Sequence, residues 1–203
     1  MPSSDLSILV IDENRLRAAV IESGLHEAGH HRVLVIHDVS GIASRIVEME
    51  PDVIFIDLEN PNRDMLENMF ALSRSVSRPI VMFVDQSDRG QIEAAIDAGV
   101  SAYIVNDLRK ERVKPILDLA VSRFNAFSRM ARELDEARTE LQDRKFIDRA
   151  KGILMKTRGL NEADAYALLR RTAMNKNLRL SEIARSLVTA ASLLDTETDQ
   201  PDD

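Results

Sequence analysis

Three carboxylates, Asp12, Glu13 and Asp57, combine residue type and position suited to chemistry. Asp12 and Glu13 close a nearly unbroken apolar run (Leu6, then Ile8 to Ile11), and Asp57 closes another, Val53 to Ile56. If both runs are buried parallel strands, the carboxylates meet beyond the strands' carboxyl ends, where open α/β sheets place their sites. Such a cluster suits a hard divalent cation such as Mg²⁺, which takes oxygen ligands. A second stretch is basic. Arg144 to Arg185 holds 11 Lys/Arg against 4 Asp/Glu, a surplus of seven in a chain of net charge −7, which leaves the other residues at −14. Basic charge concentrated in this way is an electrostatic footprint for a phosphate-rich partner.

The elements that must position the carboxylates alternate along the first half of the chain. Strands are expected at the Leu6–Ile11 run, Arg32–Ile36, Val53–Asp57, Ile80–Val84 and Ala102–Val105, with helices over 15–28, around Ile42–Met49, 63–77 and 89–98. Gly29 and Gly99 close helices, and Pro51 and Pro79 precede strands. This alternation predicts a doubly wound, flavodoxin-like α/β domain with a five-stranded parallel sheet. A length of 203 residues leaves room for a smaller second module. With no cysteine, disulfides and thiol chemistry are excluded. Met1 to Ser4 carries no basic leader, and no run is long enough to cross a bilayer, so a cytoplasmic protein without membrane contact is expected. No Gly-rich phosphate loop and no Ser/His/Asp order suggests an enzyme. His26 and His30 have metal-ligand spacing, but Gly29 ends the helix between them, and they are read as ordinary, partly exposed histidines.

Beyond the last strand, Pro115 sits near the start of a long helix, where a missing N–H costs least. Val113, Leu117, Ala120, Phe124, Phe127, Ala131, Leu134 and Leu141 follow steps of three and four, with Arg138 at one expected apolar place. That is a heptad seam of about four repeats. It predicts a coiled-coil homodimer with Leu117, Phe124, Phe127, Leu134 and Leu141 at the contact. After Leu141 the phase shifts, and the helix is expected to run on into the basic module. There Phe146, Ile147, Ala150, Ile153 and Leu154 form an inward stripe that Gly159 ends. Asn161 caps a second helix with Ala165, Leu168, Leu169, Thr172 and Ala173 inward, and Leu180 opens a third with Ile183, Ala184, Leu187 and Val188 inward. The expected organisation is a sheet domain over 1–112, a coiled-coil helix over 113–143, a three-helix bundle over 144–190 and an acidic, disordered tail over 191–203.

Residues 5 to about 120 resemble response-regulator receiver domains, on the acidic pocket and on the Asp-x-x-x-Pro spacing of Asp57 and Pro61. The resemblance implies that Asp57 is equivalent to the phosphoacceptor. Two departures stand out: Val84 replaces the usual Ser or Thr ending strand four, and Asn106 replaces the Lys ending strand five. Those groups normally contact the phosphoryl oxygens and offset their charge. Phosphorylation is therefore expected to be dispensable, with no cofactor required and Mg²⁺ only a candidate for the pocket.

Arg149-Ala150-Lys151-Gly152-Ile153-Leu154-Met155, Glu162-Ala163-Asp164-Ala165-Tyr166 and Leu180-Ser181-Glu182-Ile183-Ala184 resemble the ANTAR domain of bacterial antiterminators. That resemblance implies binding to paired hairpins in nascent leader RNA. Lys151 and Gly152 are the leading candidates, because glycine inside a helix suggests close approach by a backbone or base. Arg144, Lys145, Arg149, Arg170 and Arg171 would add salt-dependent affinity, with Lys156 on the same flank as Arg149, and Tyr166 could stack on a base. Asp57 to Asp64, Met82 to Asp88 and Ala98 to Tyr103 are similar to the NasT family, regulators of nitrate and nitrite assimilation. Membership there implies control by a NasS-like nitrate-sensing partner. Two other readings are a response regulator switched by phosphorylation of Asp57 and a DNA-binding regulator. The third helix resembles the start of a helix-turn-helix, but no basic recognition helix follows it.

Overall fold

Burial on both faces of β1 (Ser7–Asp12) sets the architecture: Ile8 and Val10 pack on one face of the sheet, Leu9 and Ile11 on the other. The computed structural model describes residues 5–38, 41–59 and 61–195. After β1 come α1 (Arg15–Glu27), β2 (Arg32–Ile36), α2 (Ile42–Met49), β3 (Val53–Leu58), α3 (Arg63–Ser75), β4 (Ile80–Val84), α4 (Arg89–Asp97), β5 (Ala102–Val105), α5 (Lys110–Arg158), α6 (Glu162–Lys176) and α7 (Leu180–Asp195). The five strands run parallel in the order β2-β1-β3-β4-β5. The strand order reverses at β1/β3, and the register pairs Asp12 with Asp57 there. Two carboxylates thus sit side by side at the switch point.

The chain divides into two units, Met1–Arg129 and Met130–Asp203. In the first, Ile42, Ile46, Leu66, Phe70 and Ala95 from α2, α3 and α4 cover one face of the sheet. Ile21 and Leu25 from α1 cover the other, together with Val113, Ile116, Leu117 and Ala120 from the start of α5. This corrects two expectations. Leu117, assigned to an inter-chain seam, is 1% exposed and belongs to the chain's own core. The sheet domain does not end at 112 but takes in the first turns of α5. A seven-residue apolar repeat is the same whether the stripe docks on a sheet or on a second helix. Farther along, every residue from 131 to 142 is exposed, and Phe127, Leu134 and Leu141 remain 63%, 52% and 56% accessible.

The second unit closes around Ala150, Leu154, Ala165, Leu169, Ala184 and Val188. Gly159, at φ +65°, ends α5 in the left-handed region, and the Asn161 side chain accepts the Asp164 N–H at 2.8 Å to start α6. Helix α7 extends to Asp195, so the expected acidic tail begins later than 191; its remainder, 196–203, lies outside the described residues. Among the described residues, no helix is long and apolar enough to cross a membrane.

Gly24 sits at a tight approach of α1 to α5. A Cβ there would lie 2.7 Å from Val113 Cβ and 2.9 Å from the Lys110 carbonyl oxygen. Gly24→Ala is expected to destabilise the sheet unit by about 1–3 kcal/mol through overpacking, read as a lower urea midpoint. An unchanged midpoint would mean that α5 shifts away freely.

Candidate functional site

Asp12 and Asp57, each 3% exposed, lie against a cavity of about 370 Å³ that Glu13, Asn14, Glu59 and Asn62 also line. Asn14 builds the rim. Its backbone N–H donates to Asp12 Oδ1 at 2.8 Å, its amide donates to Glu59 Oε2 at 3.2 Å, and its Oδ1 caps α1 through the Leu16 N–H at 3.0 Å. His37 Nδ1 lies 2.7 Å from the Asp12 carbonyl oxygen.

A residue that the sequence reading missed governs this pocket. Arg17, in the first turn of α1, donates from Nε to Asp57 Oδ2 at 2.7 Å and from Nη2 to Asp57 Oδ1 at 2.8 Å. Its third nitrogen, Nη1, pairs with Asp85 Oδ1 at 2.8 Å, just past the end of β4. The fork geometry of guanidinium matches a carboxylate edge, and charge-assisted bonds of this kind are the strong ones. The bonds to Asp57 raise the guanidinium pKa further above its already high value. A signal was present: a cation in the first turn of a helix opposes the helix dipole and so calls for another reason to be there.

Burial pushes the Asp12 carboxyl up to about 7, against the lowering effect of the Asn14 N–H; the neighbouring charge of Asp57 and a hydrogen bond to it push the same way as burial. Asp12 Oδ2 is buried without a partner as a carboxylate. A proton on Asp12 would turn one of two clashing acceptors into a donor toward Asp57. The expected Mg²⁺ set of Asp12, Glu13 and Asp57 does not fit this arrangement. Arg17 holds both Asp57 oxygens, Glu13 is exposed, and among the described residues no three His, Asp or Glu side chains converge as metal ligands. The two departures from the receiver pattern lie nearby. Val84 is 1% exposed and offers no hydroxyl, while Asn106 has φ 51° and its N–H bonds the Val84 carbonyl at 2.9 Å. His30, also set aside as a metal ligand, is 2% exposed and its Nδ1 accepts the Leu6 N–H at 3.2 Å.

In the second unit, Arg144, Lys145, Arg149, Lys156, Arg170 and Arg171 are exposed, and among the described residues none of them forms an ion pair. Arg149, Gly152 and Lys156 on α5 border a hollow of about 320 Å³ with Val188, Ala191 and Ser192 on α7. A Cβ on Gly152 would meet nothing within 4 Å, so packing within the chain does not require glycine there. Lys151 is different from the free cations. Its ammonium bridges Asp148 and Glu162, each at 2.7 Å, and its side chain is only 16% accessible, so it ties α5 to the first turn of α6. Those two bonds raise its pKa. Arg185 is likewise engaged, with Asp143 at 2.7 Å and stacked 5.0 Å from the centre of the Phe146 ring. Tyr166 is 43% exposed rather than packed in the core.

Residues 8–118 match the response regulator receiver domain family and residues 135–188 the ANTAR domain family. The transcriptional regulatory protein PdtaR of Mycobacterium tuberculosis is 29% identical over 181 residues, covering 87% of this chain and 86% of that protein. The nitrate regulatory protein of Klebsiella oxytoca is 36% identical over 80 residues, which is 39% of this chain but only 20% of that protein. Two solved structures share the fold. A response regulator from Thermotoga maritima superposes with a TM-score of 0.52 at 16% identity, covering 59% of this chain and 99% of the other. The signal receiver domain of a modulated diguanylate cyclase from Desulfovibrio desulfuricans gives 0.51 at 19% identity, covering 61% of this chain and 98% of the other.

The raised Asp12 pKa fixes the sign of a pH effect. The folded chain binds a proton that the unfolded chain has released above its ordinary carboxyl pKa of 3.8, so this contribution is full below 3.8 and lost as pH rises through about 7. Asp12→Asn keeps the size and removes the titration. In buffer containing EDTA it is expected to raise the unfolding temperature at pH 8 by about 2–4 °C and by less at pH 5. An equal change at both pH values would contradict the assignment.

Proposed function

The chain belongs to the response regulator receiver family and carries an ANTAR domain, and on that premise we propose that it is a transcription antiterminator whose output is the binding of paired hairpins in nascent leader RNA. The observation that carries this reading is the hollow bordered by Arg149, Gly152 and Lys156, two free cations on either side of an open glycine. A glycine with nothing above it admits a base or a sugar-phosphate edge, and flanking cations set its position through phosphate. Arg144, Lys145, Arg170 and Arg171 supply further salt-sensitive attraction, Tyr166 offers an exposed ring for stacking, and Lys151 acts by holding the α5–α6 junction. Duplex DNA is less well served: the described side chains of α7 include one cation, Arg185, and it is already paired.

Two hairpins call for two binding modules. The exposed Phe127, Leu134 and Leu141 give α5 an apolar seam, with Phe124 half-buried beside it, and a second copy of the chain is its occupant. Similarity of part of the chain to a nitrate regulatory protein supports leaders of nitrate assimilation genes as the RNA, and the resemblance of Asp57 to Asp64 and Met82 to Asp88 to the NasT family suggests a NasS-like nitrate sensor as the controlling partner.

The test is a titration of a two-hairpin leader RNA and a matched duplex DNA at two salt concentrations. RNA is expected to bind more tightly, and replacing Arg149 and Lys156 together by alanine is expected to weaken it and lower the salt slope by about 2. Equal affinity for RNA and DNA would overturn the reading. Phe127→Glu with Leu134→Glu is expected to halve the mass of the RNA-bound protein by light scattering. An unchanged mass would remove the seam from the dimer.

A further inference from the structure

Arg17 stands where a receiver pocket has most need of a cation. Asp57 has no accessible side-chain surface, yet both of its oxygens are bonded to one guanidinium, which also reaches Asp85 beyond the end of β4. Positive charge in the first turn of α1 gains nothing from the helix itself. Asp57 and Asp85 pair with this cation, Asp12 lies within reach of its charge, and Val84 and Asn106 contribute no charge.

We propose that Arg17 is the resident cation of this pocket, taking the place beside Asp57 that a divalent ion takes in a metal-binding receiver, so that Asp57 is neutralised from within and the pocket excludes Mg²⁺. The geometry has two parts. The bidentate fork takes the chelating edge of the Asp57 carboxylate and sets a full positive charge beside both oxygens, which opposes a second cation there. The third nitrogen anchors the guanidinium to Asp85, so Arg17 is held from the ends of two strands rather than one. The metal site is latent rather than lost, because Asp12 Oδ2 remains buried without a partner and Asp57 is freed once the guanidinium leaves. This inference does not rest on RNA binding, and its test contains no RNA.

The test uses the full chain and Mn²⁺ as the probe, with free ion followed by electron paramagnetic resonance and folding by circular dichroism. The wild type is expected to leave the Mn²⁺ signal unchanged at millimolar ion. Arg17→Gln is expected to take up one Mn²⁺ per chain, at least tenfold more tightly than wild type. If Arg17→Gln does not fold, Asp85→Asn, which removes the second anchor, is expected to show the same gain more weakly. Uptake by wild type as tight as by the variant would overturn the proposal. So would the absence of uptake by every folded variant, since Arg17 would then not be what keeps the ion out.

Discussion

Two carboxyl groups buried on neighbouring strands cannot both stay charged without a compensating group, and the register that pairs Asp12 with Asp57 imposes that constraint on the sheet unit. Receiver domains that bind a metal meet the constraint with an ion from solvent. Here it is met from within: a guanidinium spans Asp57 and Asp85, and burial favours a proton on Asp12. The consequence is mechanical as well as electrostatic. Arg17 ties the N-terminal end of α1 to the carboxyl ends of β3 and β4, so the loops around the pocket share one anchor.

The second unit reverses the electrostatic logic. Its apolar groups converge on Ala150, Leu154, Leu169 and Ala184, while among the described residues Arg144, Lys145, Arg149, Lys156, Arg170 and Arg171 form no ion pair at the surface. Exposed cations contribute little to folding stability, so their concentration there is better explained by a polyanionic partner than by the fold. Two cations that are engaged fit the same logic: Lys151 and Arg185 are spent on intramolecular contacts at helix junctions, and Arg149 and Lys156 lie free on the flank beside them.

Much of this was legible in the sequence because it rests on short-range pattern. Apolar runs ending in Asp12 and Asp57 gave the strands and their site, and Gly159 and Asn161 marked the break between α5 and α6. What escaped depends on long side chains and on which surface an apolar stripe meets. Arg17 lies forty positions from Asp57, and its place in the first turn of a helix hints at a partner without saying which carboxylate it is. Leu117 kept the heptad step but packs on the chain's own sheet, a choice that periodicity does not encode. Lys151 matched a nucleic-acid contact in type and spacing, yet the pairing of α5 with α6 brings Glu162 to its ammonium.

If Arg17 neutralises Asp57 from within and the basic bundle is the output, RNA affinity should not depend on phosphodonors. The most direct measurement is the dissociation constant of the full chain for a two-hairpin leader RNA, with and without acetyl phosphate and Mg²⁺, at fixed ionic strength. The expected result is the same constant within about twofold, less than about 0.5 kcal/mol. A change of about tenfold or more, abolished by Asp57→Asn, would make Asp57 a working phosphoryl switch and contradict the resident-cation pocket.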